Sequence, residues 1–227
     1  MLAENKFEYL IVSPGTQAYR DYLALRHHVF RAELSRLPNP DNTQMESDTY
    51  DTHSLHVLCR STETGTAVGC SRLILPSTEG LSIFTRYSIS LMTAISPRQI
   101  GEIGRLAITS ELRRYRGELS SAGLHHSPPR RSRHTNPMDK QHGPLVALGL
   151  YREIFNLARK HGITNCYAAM EPSLARLLAR IGFPFQMAGP LNTMVHPPRK
   201  PYFIGANAIQ KTMSDLDNCL SQFMFGK

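Results

Sequence analysis

The sequence predicts a single α/β domain built on a mixed β-sheet. Two observations point to that class: a hairpin-like pair of apolar segments in the first half, and a strand–helix–strand–helix order in the second. At 227 residues the chain is long enough to bury a full core, so we expect one domain over residues 1–227. A third observation argues against a dinucleotide-binding fold and an NTPase. The sequence has neither a glycine-rich dinucleotide motif after its first strand nor a P-loop.

The chain opens with an apolar strand and an amphipathic helix. Residues 7–12 form a short apolar segment, and Thr16 stands where a helix N-cap is expected. Apolar residues then recur at helical spacing over residues 17–34. These patterns predict a strand followed by one helix.

A polar loop and a hairpin come next. Residues 37–52 contain two prolines and many Asp, Asn and Thr, which predicts a loop, and its carboxylates predict that the loop lines a site. Residues 54–60 and 67–75 read as strands, and the Thr-Glu-Thr-Gly turn at 62–65 predicts that they pair antiparallel.

The rest of the chain alternates strands and helices. Residues 81–100 are mixed and predict a short helix, and residues 102–109 predict a strand. Further elements are a helix at 144–160 ended by Gly162, a strand at 163–170, a helix at 172–181, strands at 183–187 and 193–204, and a terminal helical extension at about 206–225.

The net charge of +8 favours an acidic partner: nucleic acid, an anionic membrane surface or an acidic carrier protein. Part of the excess is local, since residues 111–142 hold seven basic and three acidic side chains. Residues 117–142 are rich in Pro, Ser, Arg and His and lack a hydrophobic period, which predicts an extended basic insert.

Cysteine usage and the absence of targeting signals favour the cytoplasm. The four cysteines are widely spaced without a C-x-x-C pair, which predicts reduced, buried thiols. No long apolar run or secretion signal is present. The acidic and histidine residues at 46–56 follow no standard metal spacing, so no metal site is predicted.

Several charged residues in the first half lie beside apolar segments. Such placement is costly unless the charges pair or serve a site, so it predicts a pre-arranged polar pocket. The patterns that carry these charges are Arg26-x-x-Val29-Phe30, Glu46-x-Asp48-x-x-Asp51, Arg72-Leu73 and Glu102-x-x-Arg105. In order and rough spacing they resemble the acyl-homoserine-lactone (autoinducer) synthases, a group within the GNAT acyltransferase superfamily.

A second set of motifs resembles a sister family, the PEP-CTERM/exosortase-associated acyltransferases and N-acyl amino acid synthases. The resemblance spans roughly residues 7–204 and implies a GNAT-like acyltransferase fold, a mixed central sheet with a bulged strand flanked by helices. Its motifs are Asp48-x-Tyr50-Asp51-x-x-Ser54-x-His56, Gly69-x-x-Arg72-Leu73, Met170-Glu171-Pro172-x-Leu174-x-Arg176-Leu177-Leu178, Gly189-Pro190 and Arg199-x-Pro201-Tyr202.

The chain departs from the resembled patterns in three places. It has no Trp, whereas autoinducer synthases usually carry one in the loop after the position of Phe30, and this weakens S-adenosylmethionine as the acceptor. Gly104 stands where those synthases show Ser. The basic insert replaces the glycine-rich turn that grips the CoA pyrophosphate in ordinary GNAT enzymes, which weakens acetyl-CoA as the donor.

The resemblance implies an N-acyltransferase that moves a long fatty acyl chain to the amine of an amino acid or similar small acceptor. The co-substrate is an acyl-phosphopantetheine thioester on acyl carrier protein, or acyl-CoA, with no bound cofactor. One alternative is an autoinducer synthase that uses S-adenosylmethionine. Another is a basic nucleic-acid-binding protein, suggested by Arg130-Arg-Ser-Arg133, although few aromatic residues accompany these arginines and nucleic acid is not expected as a partner.

Glu102 is the candidate general base, acting directly or through a water with a pKa raised by partial burial. The alternative is a structural partner for an arginine. Arg105, the second candidate catalytic residue, shares a strand face with Glu102 only if the strand is bulged, and Gly104 suits a bulge.

The remaining candidates divide between the acceptor and the donor. The charged residues of the first half either pair with one another in a network or bind the acceptor. We expect both roles to occur, with Asp48 near the acceptor. The predicted substrate-binding residues are Arg26, Phe30, Glu46, Asp48, Asp51 and Arg72, with Phe30 mainly a core residue. Arg113, Arg116 and Gly143 are predicted to contact the carrier or its phosphopantetheine, against the alternatives of a solvated loop and an ordinary helix start. Peripheral membrane contact is a further expectation.

Overall fold

A computed structural model describes residues 6–37, 43–90, 95–113, 142–216 and 218–226. The fold is α/β, and seven strands form one mixed sheet in the order β1-β2-β3-β4-β5-β7-β6. The strands are β1 (Phe7–Val12), β2 (Ser54–Ser61), β3 (Ala67–Ile74), β4 (Ile100–Ile108), β5 (Asn165–Met170), β6 (Gln186–Met187) and β7 (Lys200–Gly205). The helices are α1 (Gln17–His27), α2 (Ser82–Arg86), α3 (Gly143–Lys160), α4 (Pro172–Arg180), α5 (Ala206–Leu216) and α6 (Asn218–Phe225).

The pairing of the strands confirms the predicted mixed sheet. β1 pairs antiparallel with β2, from Phe7 opposite Ser61 to Val12 opposite His56. β4 runs parallel to β5, with Glu102 opposite Tyr167, and β5 runs antiparallel to β7. Residues that face each other in register project from the same side of a sheet, so these pairs fix which side chains share a face.

Two compact units divide the chain. The first comprises the described residues within 1–47, 56–71 and 105–151. The second comprises those within 48–55, 72–104 and 152–227.

The core of the first unit is the buried face of α1. Thr16 caps this helix as predicted, because its hydroxyl accepts a hydrogen bond from the amide of Tyr19 at 3.1 Å. Tyr22 and Leu25 on the helix pack in one cluster with Val12 and Leu58 of the strands. Burial of each such large apolar side chain contributes about 1.5–3 kcal/mol.

The helix that follows Thr16 does not remain α-helical to residue 34, and the prediction of one helix was wrong in that respect. Residues His28–Glu33 form a π-helix, in which the amide of Leu34 donates to the carbonyl of Val29 five residues earlier. The apolar stripe of the sequence continues through both segments, so its periodicity does not reveal the wider turn. Val29 and Phe30 remain buried in the core.

The second unit has its own core on one face of β4, β5 and β7. Ile100, Tyr167 and Phe203 contribute from these strands, and Leu81 and Ile83 contribute from the start of α2. Gly101 faces the other way, where an added Cβ would lie within 3.0 Å of the Leu73 side chain. The alternation along β4 therefore places Glu102 on the same face as Ile100 and the core of the unit.

Two predicted strands are shorter in the structure. The strand predicted at 183–187 is limited to Gln186–Met187, and the one predicted at 193–204 begins at Lys200. Pro197 and Pro198 lack the amide hydrogen that a strand ladder needs, which explains the late start. The terminal extension is helical in its described residues, as α5 and α6. Cys219 on α6 is exposed, so the prediction of buried thiols was correct only for Cys59, Cys70 and Cys166.

Candidate active site

Glu102 lies buried on β4, held by the start of α2. Its Oε1 accepts a hydrogen bond from the Ser82 hydroxyl at 2.6 Å, and its Oε2 accepts one from the Ile83 amide at 2.9 Å. Each carboxylate oxygen retains a second acceptor position. The two hydrogen bonds therefore fix the carboxylate while leaving it able to take a proton from a bound amine.

Burial raises the pKa of Glu102 above its usual range, against the lowering effect of the hydrogen bonds from Ser82 and Ile83. The charge of Arg72 also lowers it. Within the described parts of the chain Glu102 forms no ion pair, which argues against its alternative role as an arginine partner. This direction agrees with the raised pKa expected from the sequence, and a raised pKa suits a carboxylate that acts as a base.

Arg72, Asp48 and Asp51 form a charge network in the same unit as Glu102. The Arg72 guanidinium donates to both carboxylate oxygens of Asp48, at 2.6 and 3.0 Å, and to Asp51 at 2.6 Å. The two aspartates also close a capping box on the 3₁₀-helix Thr49–His53. The side chains of Arg72 and Asp51 are 1% and 6% exposed, whereas that of Asp48 is 19% exposed.

Arg26, Glu46 and Arg105 form a second network, in the first unit. Glu46 accepts from Nε of Arg26 at 2.5 Å and from Nη2 of Arg105 at 2.9 Å. Burial acts to raise the pKa of Glu46, but hydrogen bonds and charge from Arg105 and Arg26 outweigh it and lower that pKa to about 2. Glu46 is therefore an ionised partner of two arginines.

The backbone of β4 is left-handed at Arg105, where φ is +52°. A residue other than glycine rarely adopts this conformation, which costs of order 1 kcal/mol or more and marks a local irregularity of the strand. The sequence predicted that Gly104 would provide the irregularity, and the left-handed residue is instead its neighbour. The Arg105 side chain turns to Glu46 and lies over the Phe30 ring, with 5.9 Å from its guanidinium carbon to the ring centroid.

The predicted catalytic and substrate-binding residues thus fall into two sets. Arg26, Phe30, Glu46 and Arg105 form a connected set of contacts in the first unit. Asp48 and Asp51 bind the guanidinium of Arg72 in the second unit, which also contains Glu102. The prediction that Glu102 and Arg105 serve one substrate stays a prediction.

The predicted donor-side residues have other contacts or lie outside the described residues. Arg113 pairs with Glu33, which also accepts from the amide and hydroxyl of Ser110. Gly143 is the first residue of α3. Arg116 and residues 117–141 of the predicted basic insert lie outside the described residues.

Sequence reasoning missed Ser82 and Tyr167. Ser82 lies in a stretch whose apolar pattern is mixed, so nothing at sequence level pointed to a carboxylate partner there. Tyr167 lies in an apolar strand and reads as a core residue, although it stands directly opposite Glu102 in the sheet. A search for polar residues in strands next to that of the candidate base would have found it.

A cavity of about 990 Å³ lies elsewhere in the first unit. None of its lining residues is a predicted site residue, and it does not contain Glu102. Across the described ranges, no group of three or more His, Cys, Asp and Glu side chains is arranged to hold a metal ion. Among the helices that the structure describes, none is long and apolar enough to cross a membrane.

Comparison with known proteins identifies the fold and the class of enzyme. Residues 25–121 match the family described as acetyltransferase (GNAT) domain. The acyl-homoserine-lactone synthase of Vibrio anguillarum is 25% identical over 173 residues, which cover 75% of this chain and 76% of that protein.

Solved structures of low sequence identity share the fold. The structure of TofI in a ternary complex with an inhibitor and MTA matches with a TM-score of 0.62 at 18% identity, covering 95% of this chain and 99% of TofI. FeeM, an N-acyl amino acid synthase from uncultured soil microbes, matches with a TM-score of 0.56 at 13% identity, covering 96% and 98%. The chain has the GNAT-like acyltransferase fold, and it is an acyltransferase.

Proposed function

We propose that this acyltransferase transfers a fatty acyl group from a thioester to the amine of an amino acid or a similar small acceptor. The observation that carries the proposal is Glu102: a buried carboxylate with a raised pKa, oriented by Ser82 and Ile83 and without an ion-pair partner in the described parts of the chain. An ammonium must lose a proton before it attacks a carbonyl, and such a carboxylate suits that task.

The reaction proceeds by addition and elimination at the thioester carbon. Glu102 takes a proton from the acceptor ammonium, directly or through a water, and the free amine nitrogen forms a bond to the carbonyl carbon. The carbonyl electron pair moves to oxygen and then returns as the carbon–sulfur bond breaks. The nitrogen then loses a second proton, so that the product amide is neutral. One of the two protons ends on the departing sulfur, which leaves as a thiol, and the other passes to solvent, which returns Glu102 to its carboxylate form.

The exposure of Arg72, Asp48 and Asp51 supports a division of roles on the acceptor side. Arg72 and Asp51 are buried and hold each other, whereas the Asp48 carboxylate is the partly exposed member of the network. An acceptor ammonium is attracted by a carboxylate that it can reach. In this proposal Asp48 meets the acceptor, and Arg72 fixes the Asp48 carboxylate from behind.

The donor is proposed to be an acyl chain on phosphopantetheine, carried by acyl carrier protein or by CoA. The net charge of +8 favours an acidic carrier protein, and Arg113, Arg116 and Gly143 remain the proposed contacts. The motifs at 48–56 and 170–178 favour assignment to the PEP-CTERM/exosortase-associated acyltransferases. The cytoplasm is the proposed location.

A second candidate function is synthesis of an acyl-homoserine lactone from S-adenosylmethionine. The observation that favours it is the similarity to the Vibrio anguillarum synthase over three quarters of both chains. The absence of Trp argues for the amino acid as acceptor instead.

Mass spectrometry of the products tests both candidates. The purified protein is incubated with dodecanoyl-acyl carrier protein or dodecanoyl-CoA, together with either the twenty amino acids or S-adenosylmethionine. We expect an N-dodecanoyl amino acid and release of one thiol for each amide formed. An N-dodecanoyl-homoserine lactone would establish the second candidate, and intact thioester with every acceptor would refute both.

A further inference from the structure

The hydroxyl of Tyr167 is buried without a hydrogen-bond partner in the part of the chain that the structure describes. The Tyr167 residue is 1% exposed and belongs to the core of the second unit. A buried hydroxyl without a partner is costly, and the great majority of buried polar groups in proteins are hydrogen-bonded. Phe would supply the same ring without that cost, so the hydroxyl at this position points to a partner beyond the described residues, such as a bound substrate.

The position of Tyr167 indicates which part of a substrate its hydroxyl would bind. Tyr167 stands opposite Glu102 in the parallel pairing of β4 and β5, so both side chains project from the same face of the sheet. Neighbouring strands lie about 4.8 Å apart. A substrate that places its amine at Glu102 therefore places its reacting carbonyl within reach of the adjacent strand.

The ring of Tyr167 is held by two aromatic neighbours. Phe84 of α2 meets it edge-on with ring centroids 5.5 Å apart, and Phe203 of β7 does so at 5.1 Å. Phe84 is contiguous in sequence with Ser82 and Ile83, the two residues that orient Glu102. One short helix therefore fixes both the carboxylate and the phenol ring, and contacts of this kind hold a hydroxyl in a defined direction.

We propose that the Tyr167 hydroxyl donates a hydrogen bond to the carbonyl oxygen of the acyl thioester and to the oxyanion that forms when the amine attacks. This assignment rests on the proposed acyl transfer. The hydroxyl keeps its proton throughout the reaction and only shares it with the oxygen that becomes negatively charged. Burial raises the pKa of Tyr167, so the phenol stays a donor across the neutral pH range.

A donor aimed at the oxyanion acts more strongly on the transition state than on the bound thioester. Loss of one such donor lowers kcat by about 100-fold in well-studied enzymes. A hydroxyl that serves only packing would leave kcat unchanged. The ratio of the effects on kcat and KM therefore separates a substrate contact from a structural role.

The test is Tyr167→Phe, assayed with dodecanoyl-acyl carrier protein and the amino acid that the wild type acylates fastest. We expect kcat to fall by about 100-fold with KM changed less than 3-fold, following the magnitude for one oxyanion donor. The matched control is Tyr202→Phe, a buried tyrosine on β7 that stands opposite Ala168 and so faces the other side of the sheet. The control variant is expected to retain wild-type kcat.

Thermal unfolding of the same variants checks the structural premise. Removal of an unpartnered buried hydroxyl leaves Tm of Tyr167→Phe equal to that of the wild type or higher. A Tm lowered by several degrees would show that the hydroxyl has a partner within the protein and would overturn the proposal.

The remaining outcomes are distinguishable. If the wild type forms product and Tyr167→Phe does so with near-normal kcat, the role of Tyr167 is overturned and the proposed function stands. A wild type that consumes no thioester refutes the proposed function. In that case calorimetric binding of dodecanoyl-CoA decides the role of Tyr167: affinity weakened about 5-fold or more in Tyr167→Phe supports the carbonyl contact, and unchanged affinity overturns it.

Discussion

Glu46 and Glu102 are both buried glutamates, but their surroundings give them opposite chemistry. Glu46, in the first unit, is 2% exposed and lies between the guanidinium groups of Arg26 and Arg105. Its pKa is lowered to about 2. Glu102, in the second unit, is 7% exposed, receives only neutral donors, and has a raised pKa.

The comparison shows that burial alone does not give a carboxylate a function. Desolvation is the largest effect on both residues and raises the pKa of each. At Glu46 the buried Arg26 and the partly exposed Arg105 reverse the result, and the carboxylate stays ionised as a structural element. At Glu102 the neutral donors Ser82 and Ile83 do not reverse it, so the pKa stays raised.

The largest expected effect is on turnover in Glu102→Gln. The amide of Gln keeps an oxygen for one of the hydrogen bonds from Ser82 and Ile83, but it cannot take the amine proton. We expect kcat to fall about 1,000-fold, within the range for loss of a general base, while far-UV circular dichroism stays that of the wild type. Thiol release measures the rate.

The control for that prediction is Glu63→Gln, an exposed residue in the β2–β3 turn. It is expected to turn over at the wild-type rate. Wild-type turnover in Glu102→Gln would remove Glu102 as the base and with it the contrast between the two glutamates.

The second largest effect is on stability in Glu46→Gln. The change removes the carboxylate charge that pairs with Arg105 and with the fully buried Arg26. We expect the free energy of unfolding in urea to fall by about 3 kcal/mol, as for other buried pairs that lose one partner. Glu63→Gln serves again as the control, and a loss below about 0.5 kcal/mol in Glu46→Gln would show that the network is not stabilising.

The pH dependence of stability should have opposite signs at the two residues. The pKa of Glu46 falls from 4.5 to about 2 on folding, so its stabilisation is present above pH 4.5 and is lost as pH falls from 4.5 towards 2. The pKa of Glu102 is raised on folding, so its ionisation costs stability that grows as pH rises above 4.5.

Urea unfolding of the wild type and both variants between pH 3 and 8 measures these slopes. The deficit of Glu46→Gln relative to the wild type should shrink below pH 4.5. Glu102→Gln should become the more stable protein as pH rises. Slopes of the same sign at the two positions would contradict the assignment of one ion partner and one base.

The smallest expected effect is from Arg72→Lys. A lysine cannot reproduce the two-pronged contact with Asp48, so we expect a loss of about 1–2 kcal/mol in the free energy of unfolding. The matched control is Arg60→Lys, whose pair with Asp21 has side chains 22% and 34% exposed and should cost less than about 1 kcal/mol. Equal costs at the two positions would show that burial adds nothing to the Arg72 network.

Much of the fold was predictable because its signals are local. β1, the β2–β3 hairpin, α3 and α4 follow from apolar periodicity, from the turn that ends at Gly65 and from the helix stop at Gly162, and both glycines have positive φ. The π-helix at His28–Glu33 was not predictable, since its apolar pattern is that of an ordinary helix. The late start of β7 is a signal that the sequence does carry, since Pro197 and Pro198 lack the amide hydrogen of a strand ladder.

The site was predictable in its residue types but not in its pairings. The acidic and basic residues of the first half were identified as partners, and the structure pairs Arg26 with Glu46 and Arg72 with Asp48. The sequence did not reveal that Ser82 holds Glu102, because the two lie twenty positions apart and their contact depends on how α2 packs on the sheet.

The sequence by itself determined the α/β class, the order of the elements and the candidate charges, since these depend on local periodicity and on the cost of burying charge. Only the tertiary structure decided which carboxylate is neutralised by arginine and which is not. The pKa of a buried carboxylate depends on the groups within a few ångströms of it, and those come from distant parts of the chain. For Glu46 they are two guanidinium groups, and for Glu102 a hydroxyl and an amide.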